Sequence, residues 1–137
     1  MDVKTTFLHG DLDEEIDMKQ HEWFTVNRYR ELVCKLKKSL YGLKQSPRKW
    51  YQKFDQYIQE LGFVRIQVDH SVYSKRVDDH FMYVVLYVDD MLFVENNMDL
   101  VKEVKSQLSS KFNMKDLDAS HFILGMEIKR DREGRRL

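Results

Sequence analysis

Cysteine is almost missing from these 137 residues: Cys34 stands alone. That excludes an internal disulfide framework and any cysteine-built zinc site. Proline is as scarce, with Pro47 only, and glycine is confined to Gly10, Gly42, Gly62, Gly125 and Gly134. So little of either leaves no room for a flexible linker or a low-complexity stretch. No internal repeat is visible, and the chain reads as one compact unit or part of one. Net charge is absent too, since 23 Lys plus Arg balance 23 Asp plus Glu. A uniformly basic histone-like protein and an acidic disordered tail are both excluded. The longest apolar run, Phe81 to Val88, falls far short of the ~20 residues of a membrane span. No charged-then-apolar leader pattern opens the sequence. The histidines His9, His21, His70, His80 and His121 show no i, i+3 or i, i+4 pairing that would suit a metal. A Gly-rich phosphate loop is also lacking. The expected setting is intracellular, reducing and soluble, with no membrane partner, and any metal is expected to be held by oxygen.

What is present is enough for a core: 42% apolar residues, 12% of the chain being aromatic. The charge is segregated. Residues 11–17 (DLDEEID) hold five acids and no base. Residues 35–53 hold seven bases (Lys35, Lys37, Lys38, Lys44, Arg48, Lys49, Lys53) and no acid, and Lys129, Arg130, Arg132, Arg135 and Arg136 crowd the end. Charge alone reads such a basic run first as a solvated face and second as a surface for phosphates, and the interleaved Tyr41, Trp50 and Tyr51 add a little to the second. The acidic run is not a calcium loop. Counting from Asp11, Ile16 stands where the loop needs glycine, and Glu22 falls at the twelfth position only by coincidence of spacing.

Two segments have helical period. Trp50, Phe54, Tyr57, Ile58 and Leu61 form one stripe after Pro47, with Ser46 as the expected N-cap and Gly62 as the stop. Leu100, Val101, Val104, Leu108 and Phe112 form another after Asn96-Asn97, with Asp99 suited to the first turn. Strand signals surround them at Asp2–Leu8, Leu32–Leu36, Phe63–Val68, Ser71–Lys75, Phe81–Val88, Met91–Glu95 and His121–Lys129. Phe81–Val88 is β-branched and aromatic throughout and is expected to be buried on both faces. The order predicts an α+β fold, an antiparallel sheet with two helices packed on one face.

The sharpest chemical signal is Tyr87-Val88-Asp89-Asp90 between two hydrophobic strands. Neighbouring side chains in a strand point to opposite faces, so the two aspartates converge only if the backbone turns there. A tight hairpin with Asp-Asp at its tip is expected. Converging carboxylates repel unless a cation lies between them, and a hard divalent ion, most simply Mg²⁺, suits oxygen ligands. The alternative is a plain surface turn, in which Asp is common. A third acid, with Asp2 as the candidate, would let the site hold two ions about 3.5–4 Å apart, the pair that serves phosphoryl transfer.

Four stretches together resemble a known family: DVKTTFLHGDLDEEI (2–16), VCKLKKSLYGLKQSPRKWYQKF (33–54), YVDD followed by Met91, and FNMKDL…FILGMEI (112–128). In order and over nearly the whole chain they are similar to the reverse transcriptase of copia-type LTR retrotransposons, part of the Pol polyprotein. The resemblance implies a polymerase palm and RNA-directed DNA polymerase chemistry. Asp2, Asp89 and Asp90 would bind two Mg²⁺ ions, with Mn²⁺ as a substitute. Lys115 would protonate leaving pyrophosphate. Phe7 would be the steric gate against a ribose 2′-hydroxyl, provided the chain leaves strand geometry after Asp2. Tyr41, Gly42, Lys44, Gln45, Pro47 and Arg48 would meet template and incoming nucleotide. Tyr87, Met91, Leu124, Gly125 and Met126 would meet the primer, although packing in the core is the expected place for Met91, Met114 and Met126 on residue type alone.

The implied partners are an RNA or DNA template with primer, deoxynucleoside triphosphates and the rest of Pol, in a cytoplasmic virus-like particle. The family usually has Ala at Thr6, Tyr at Asp17, Ala at Ser46, Cys at Ser71 and Gly at Asp118. By this resemblance residues 1–137 are a palm cut at both ends, without fingers, thumb or RNase H, and Asp2 lies in a frayed terminus. Two other readings stay open: a palm that binds nucleic acid without catalysis, and an inert relic of a decayed element.

Overall fold

The computed structural model describes residues 1–24, 32–123, 125–129 and 134. Along the chain run β1 (Asp2–Val3), a 3-10 turn (Thr6–Leu8), β2 (Asp17–Lys19), a second 3-10 turn (Glu22–Phe24), β3 (Val33–Lys35) and α1 (Ser46–Glu60). There follow β4 (Val64–Arg65), β5 (Val72–Val77), β6 (His80–Tyr87), β7 (Asp90–Val94), α2 (Met98–Lys111), β8 (Met114–Lys115), β9 (Phe122–Ile123) and β10 (Met126–Glu127). The fold is α+β. Where the sequence reads as a single unit, the chain divides into two: Met1–Lys4 with Phe63–Leu137, and Thr5–Gly62. Each division falls at a residue with left-handed backbone, Thr5 at φ 55° and Gly62 at φ 86°.

The first unit is built on a six-stranded sheet in the order β4-β5-β6-β7-β1-β8, every neighbouring pair antiparallel. Residues paired directly across strands share a face, which sorts the sheet cleanly. Tyr73, Met82, Val84, Leu86, Met91 and Val3 lie on one side and are buried. Helix α2 covers that side, with the Lys105 ammonium 5.9 Å over the Phe93 ring and Val101, Val104 and Leu108 buried. Its N-terminus is closed as the sequence predicts: Asn97 Oδ1 accepts from the amides of Asp99 (3.0 Å) and Leu100 (3.5 Å). Strand β6 departs from expectation. Only alternate residues are buried, and Phe81, Tyr83 and Tyr87 are exposed, because helix packing covers a single face.

The frayed terminus is also corrected. The Met1 backbone nitrogen donates to the Met91 carbonyl (2.8 Å), the Met91 amide to the Met1 carbonyl (2.7 Å), the Val3 amide to the Asp89 carbonyl (2.9 Å) and the Lys4 amide to the Asn113 carbonyl (2.8 Å). β1 is thereby held on both edges, between β7 and β8. The β9–β10 hairpin turns at Gly125, φ 79°. Asp118, standing where the resembled family has glycine, adopts φ 58°, the left-handed region that glycine enters without cost.

In the second unit α1 buries Trp50, Phe54 and Ile58 as the stripe predicts. Ser46 is not its cap: Gln45 holds that position, and the buried Ser46 hydroxyl donates instead to the Leu40 carbonyl (2.5 Å). β2 and β3 pair antiparallel. Ser39 is fully buried and fastens the first 3-10 turn, its hydroxyl reaching the Phe7 and Gly10 carbonyls. A Cβ on Gly10 would lie 2.7 Å from Lys49 Cβ and 2.6 Å from Ser39 Oγ. Gly10→Ala is therefore expected to destabilise the chain by about 1–3 kcal/mol through overpacking, read as a lower urea midpoint at unchanged slope.

Candidate active site

Strand register assembles the site. Tyr87 pairs with Asp90, Asp90 with Asp2, and Asp2 with Lys115. Cross-strand partners share a face, so these four side chains form one row across β6, β7, β1 and β8. The row lies on the face away from α2. The expected two-residue tip is displaced by one position. The loop of the hairpin is Val88-Asp89, and Asp90 already belongs to β7. Val88 adopts φ 55°, the sign that a two-residue hairpin turn requires at its first central residue and that normally calls for glycine. A β-branched side chain there is strained by about 1–3 kcal/mol. Sequence reading passes over Val88; the one signal for it is the length of the loop.

The three aspartates feel one another. Burial, then the charges of Asp89 and Asp2, push the Asp90 carboxyl above its ordinary value of 3.8. They do not close into a ligand cage: among the described residues, no three His, Cys, Asp or Glu side chains stand together as a group able to hold a metal ion. The donor chemistry nevertheless fits a hard divalent cation, which takes carboxylate oxygens and removes the repulsion between them.

Other predicted positions separate into those the structure gathers and those it does not. Lys115 is exposed beside Asp2 in register. Tyr87 is 52% exposed at the other end of the row. Met91 is 4% exposed and faces the α2 side, so it packs in the core rather than at a primer, as its residue type suggests. Met126 is the reverse, 61% exposed, because the short β9–β10 hairpin leaves it uncovered. Gly125 is the bend of that hairpin, and Leu124 lies outside the described residues.

In the second unit the chain does leave strand geometry after Val3, through Thr5 and a 3-10 turn. Phe7 then meets Tyr41 edge to face, ring centroids 4.8 Å apart. Gly42 takes φ 92°, and a Cβ placed on it would meet nothing within 4 Å. Its backbone conformation, not crowding, is what excludes other residues there. Lys44, Pro47 and Arg48 are exposed around the start of α1, and Gln45 is half-buried.

The basic run is largely neutralised, contrary to a wholly phosphate-facing surface. Lys35 pairs with Glu15, Lys38 and Lys53 with Asp11, and Lys49 with Asp13. Hydrogen bonds from Lys38 and Lys53 hold the Asp11 carboxyl below its ordinary range.

The family model for reverse transcriptase (RNA-dependent DNA polymerase) matches residues 1–137. The retrovirus-related Pol polyprotein from transposon TNT 1-94 of Nicotiana tabacum is 50% identical over 138 residues, covering 100% of this chain and 10% of that polyprotein. The retrovirus-related Pol polyprotein from transposon RE1 of Arabidopsis thaliana is 38% identical over 95% of this chain and 9% of its own length. The transposon Ty1-DR4 Gag-Pol polyprotein of Saccharomyces cerevisiae is 29% identical over 96% of this chain and 8% of its own. The chain thus spans about a tenth of the length of these relatives. No solved structure matches it. Among the described residues, no helix is long and apolar enough to cross a membrane.

The raised Asp90 carboxyl has a thermodynamic sign. A folded state that binds its proton more tightly than the unfolded chain is favoured below the unfolded value, and that stability is lost as pH rises through the folded one. Asp90→Asn is therefore expected to melt at higher temperature than the wild type at neutral pH. The difference should vanish in acid below 3.8. Equal melting temperatures at neutral pH would contradict a carboxyl raised by burial and by its neighbours' charges.

Proposed function

Because this chain belongs to the reverse transcriptase (RNA-dependent DNA polymerase) family, we propose that it supplies the carboxylate site for RNA-directed DNA synthesis within a longer Pol polyprotein. The observation that carries this reading is the cross-strand row Tyr87–Asp90–Asp2–Lys115 with Asp89 in the adjoining turn. The reaction is attack of a primer 3′-hydroxyl oxygen on the α-phosphorus of a deoxynucleoside triphosphate. A new phosphodiester bond forms, the bond to the β-phosphate oxygen breaks, and pyrophosphate leaves. Asp2, Asp89 and Asp90 would hold Mg²⁺, or Mn²⁺ in its place. Bound there, two such ions would offset charge on the attacking oxygen and on the leaving pyrophosphate.

The chain's own groups do the rest. Lys115, exposed beside Asp2, carries a proton for the departing pyrophosphate. Tyr87 offers an exposed ring at the end of the row for the primer terminus. In the second unit, Phe7, whose ring meets that of Tyr41, is assigned the steric gate against a 2′-hydroxyl, and Tyr41, Gly42, Lys44, Gln45, Pro47 and Arg48 are assigned to template and nucleotide. Gly125 and Met126, with Leu124, are assigned to the primer side.

A second reading, nucleic-acid binding without catalysis, is favoured by one observation: Lys44, Arg48 and the Tyr41 ring are exposed close together in sequence, the residue types that hold phosphates and stack on bases. Primer extension on an RNA template with Mg²⁺ separates the two. Wild-type chain is expected to incorporate nucleotides, and Asp89→Asn to lose at least about a hundredfold in rate, the scale of a misplaced reacting group. Mn²⁺ should also broaden the NMR signals of Asp2, Asp89 and Asp90 selectively. Binding without incorporation, together with no selective broadening, would leave the non-catalytic reading in possession.

A further inference from the structure

The basic run of the second unit is divided by its partners. Four of its seven cations, Lys35, Lys38, Lys49 and Lys53, are committed to Asp11, Asp13 and Glu15. The other three, Lys37, Lys44 and Arg48, are exposed and form no ion pair among the described residues. The acids are equally divided. Glu14 and Asp17 belong to the same run, are exposed, and pair with no cation among the described residues.

The pairing is built into the fold rather than being a chance surface encounter. Lys53 also donates to the His9 carbonyl (2.8 Å), and Lys49 is largely buried along its side chain. The segment that carries the acids is anchored at both ends. The Ser39 amide donates to the Gly10 carbonyl (3.0 Å) on one side, and the Leu36 amide to the Ile16 carbonyl (2.9 Å) on the other. The carboxylates are thus held over the lysines by backbone hydrogen bonds, which surface ion pairs alone would not secure.

We infer that the acidic segment 11–15 is a built-in counter-ion that reserves four lysines from polyanions, so that within the basic run 35–53 phosphates are engaged by Lys37, Lys44 and Arg48. The inference rests on the nucleic-acid reading above but not on catalysis. Its consequence is specificity. A run of seven free cations would attract any phosphate backbone indiscriminately, whereas three leave binding to be decided by shape and by base contacts. Loss of the acids would convert a selective surface into a sticky one.

The salt dependence of binding counts the cations that meet phosphate, with log K falling by about 0.9 per contact for duplex. The test uses the whole chain and a fluorescein-labelled RNA–DNA primer–template, with binding followed by anisotropy over a salt series. Asp11→Asn with Asp13→Asn frees Lys38, Lys49 and Lys53. It is expected to steepen the slope by about two to three and to tighten binding at low salt. Glu14→Gln with Asp17→Asn makes the same change in net charge within the run 11–17 but removes no carboxylate that is ion-paired among the described residues, and its slope should match the wild type. Glu15→Gln, which frees Lys35 alone, should steepen the slope by about one. It serves as the second variant should the double substitution lose its circular dichroism. Equal slopes in all variants, equal steepening in both doubles, or no binding by any chain would overturn the inference. Steepening without any nucleotide incorporation would uphold it while removing the polymerase reading.

Discussion

A carboxyl that is partly desolvated and set beside two others resists ionising, and the strands of the first unit hold Asp90 in that position. Strand register sets Asp2 directly across from it, and the Val88-Asp89 turn brings a third carboxylate alongside. The cost falls on Asp90, whose proton is held more tightly than usual. Stability for the arrangement is drawn from the opposite face, where Val3, Leu86 and Met91 are buried. The same backbone therefore presents charge on one side and core on the other. In three of the four strands of the row a buried apolar residue stands next to the functional one: Val3 beside Asp2, Met91 beside Asp90, Leu86 beside Tyr87.

That alternation explains what is legible in the sequence and what is not. Both helices are readable because their stripes are long and their ends are marked by Pro47, Gly62 and Asn97. The YVDD hairpin is readable because β-branched and aromatic runs flank it. The displaced turn is not, since a one-residue shift leaves composition unchanged and is fixed only by cross-strand pairing. β8 escapes notice because two residues carry no period. Burial of β6 on both faces is a reading from composition alone, and exposure of Phe81 and Tyr83 shows that apolar content does not count layers. Ser46 looks like a cap by residue type, but its hydroxyl is drawn inward to Leu40.

The second unit carries the lesson about charge. Segments 11–17 and 35–53 are each of one sign, and linear reading treats them separately. Folding brings them together, so most of the apparent basic surface is satisfied internally. Of the three cations left over, Lys44 and Arg48 sit at the start of α1 near Tyr41 and Gly42 in sequence, where motif resemblance also points. The order of residues marks those positions in one way, and the absence of an ion pair at them among the described residues marks them in another.

The place of β1 between β7 and β8 has a temporal consequence. Its partners, Asp90 and Lys115, lie some ninety and more than a hundred positions along the chain from Asp2. Long-range pairings of this kind form slowly, after local hairpins and helices. On a ribosome, Asp2 emerges well ahead of both neighbours and waits for them while the intervening residues are made. The hairpin β6–β7 and helix α2 can assemble beforehand, leaving a slot that only the returning β1 strand fills. The charged row is thus the last part of the sheet to be completed, and a nascent chain cannot display it until β8 has left the ribosome.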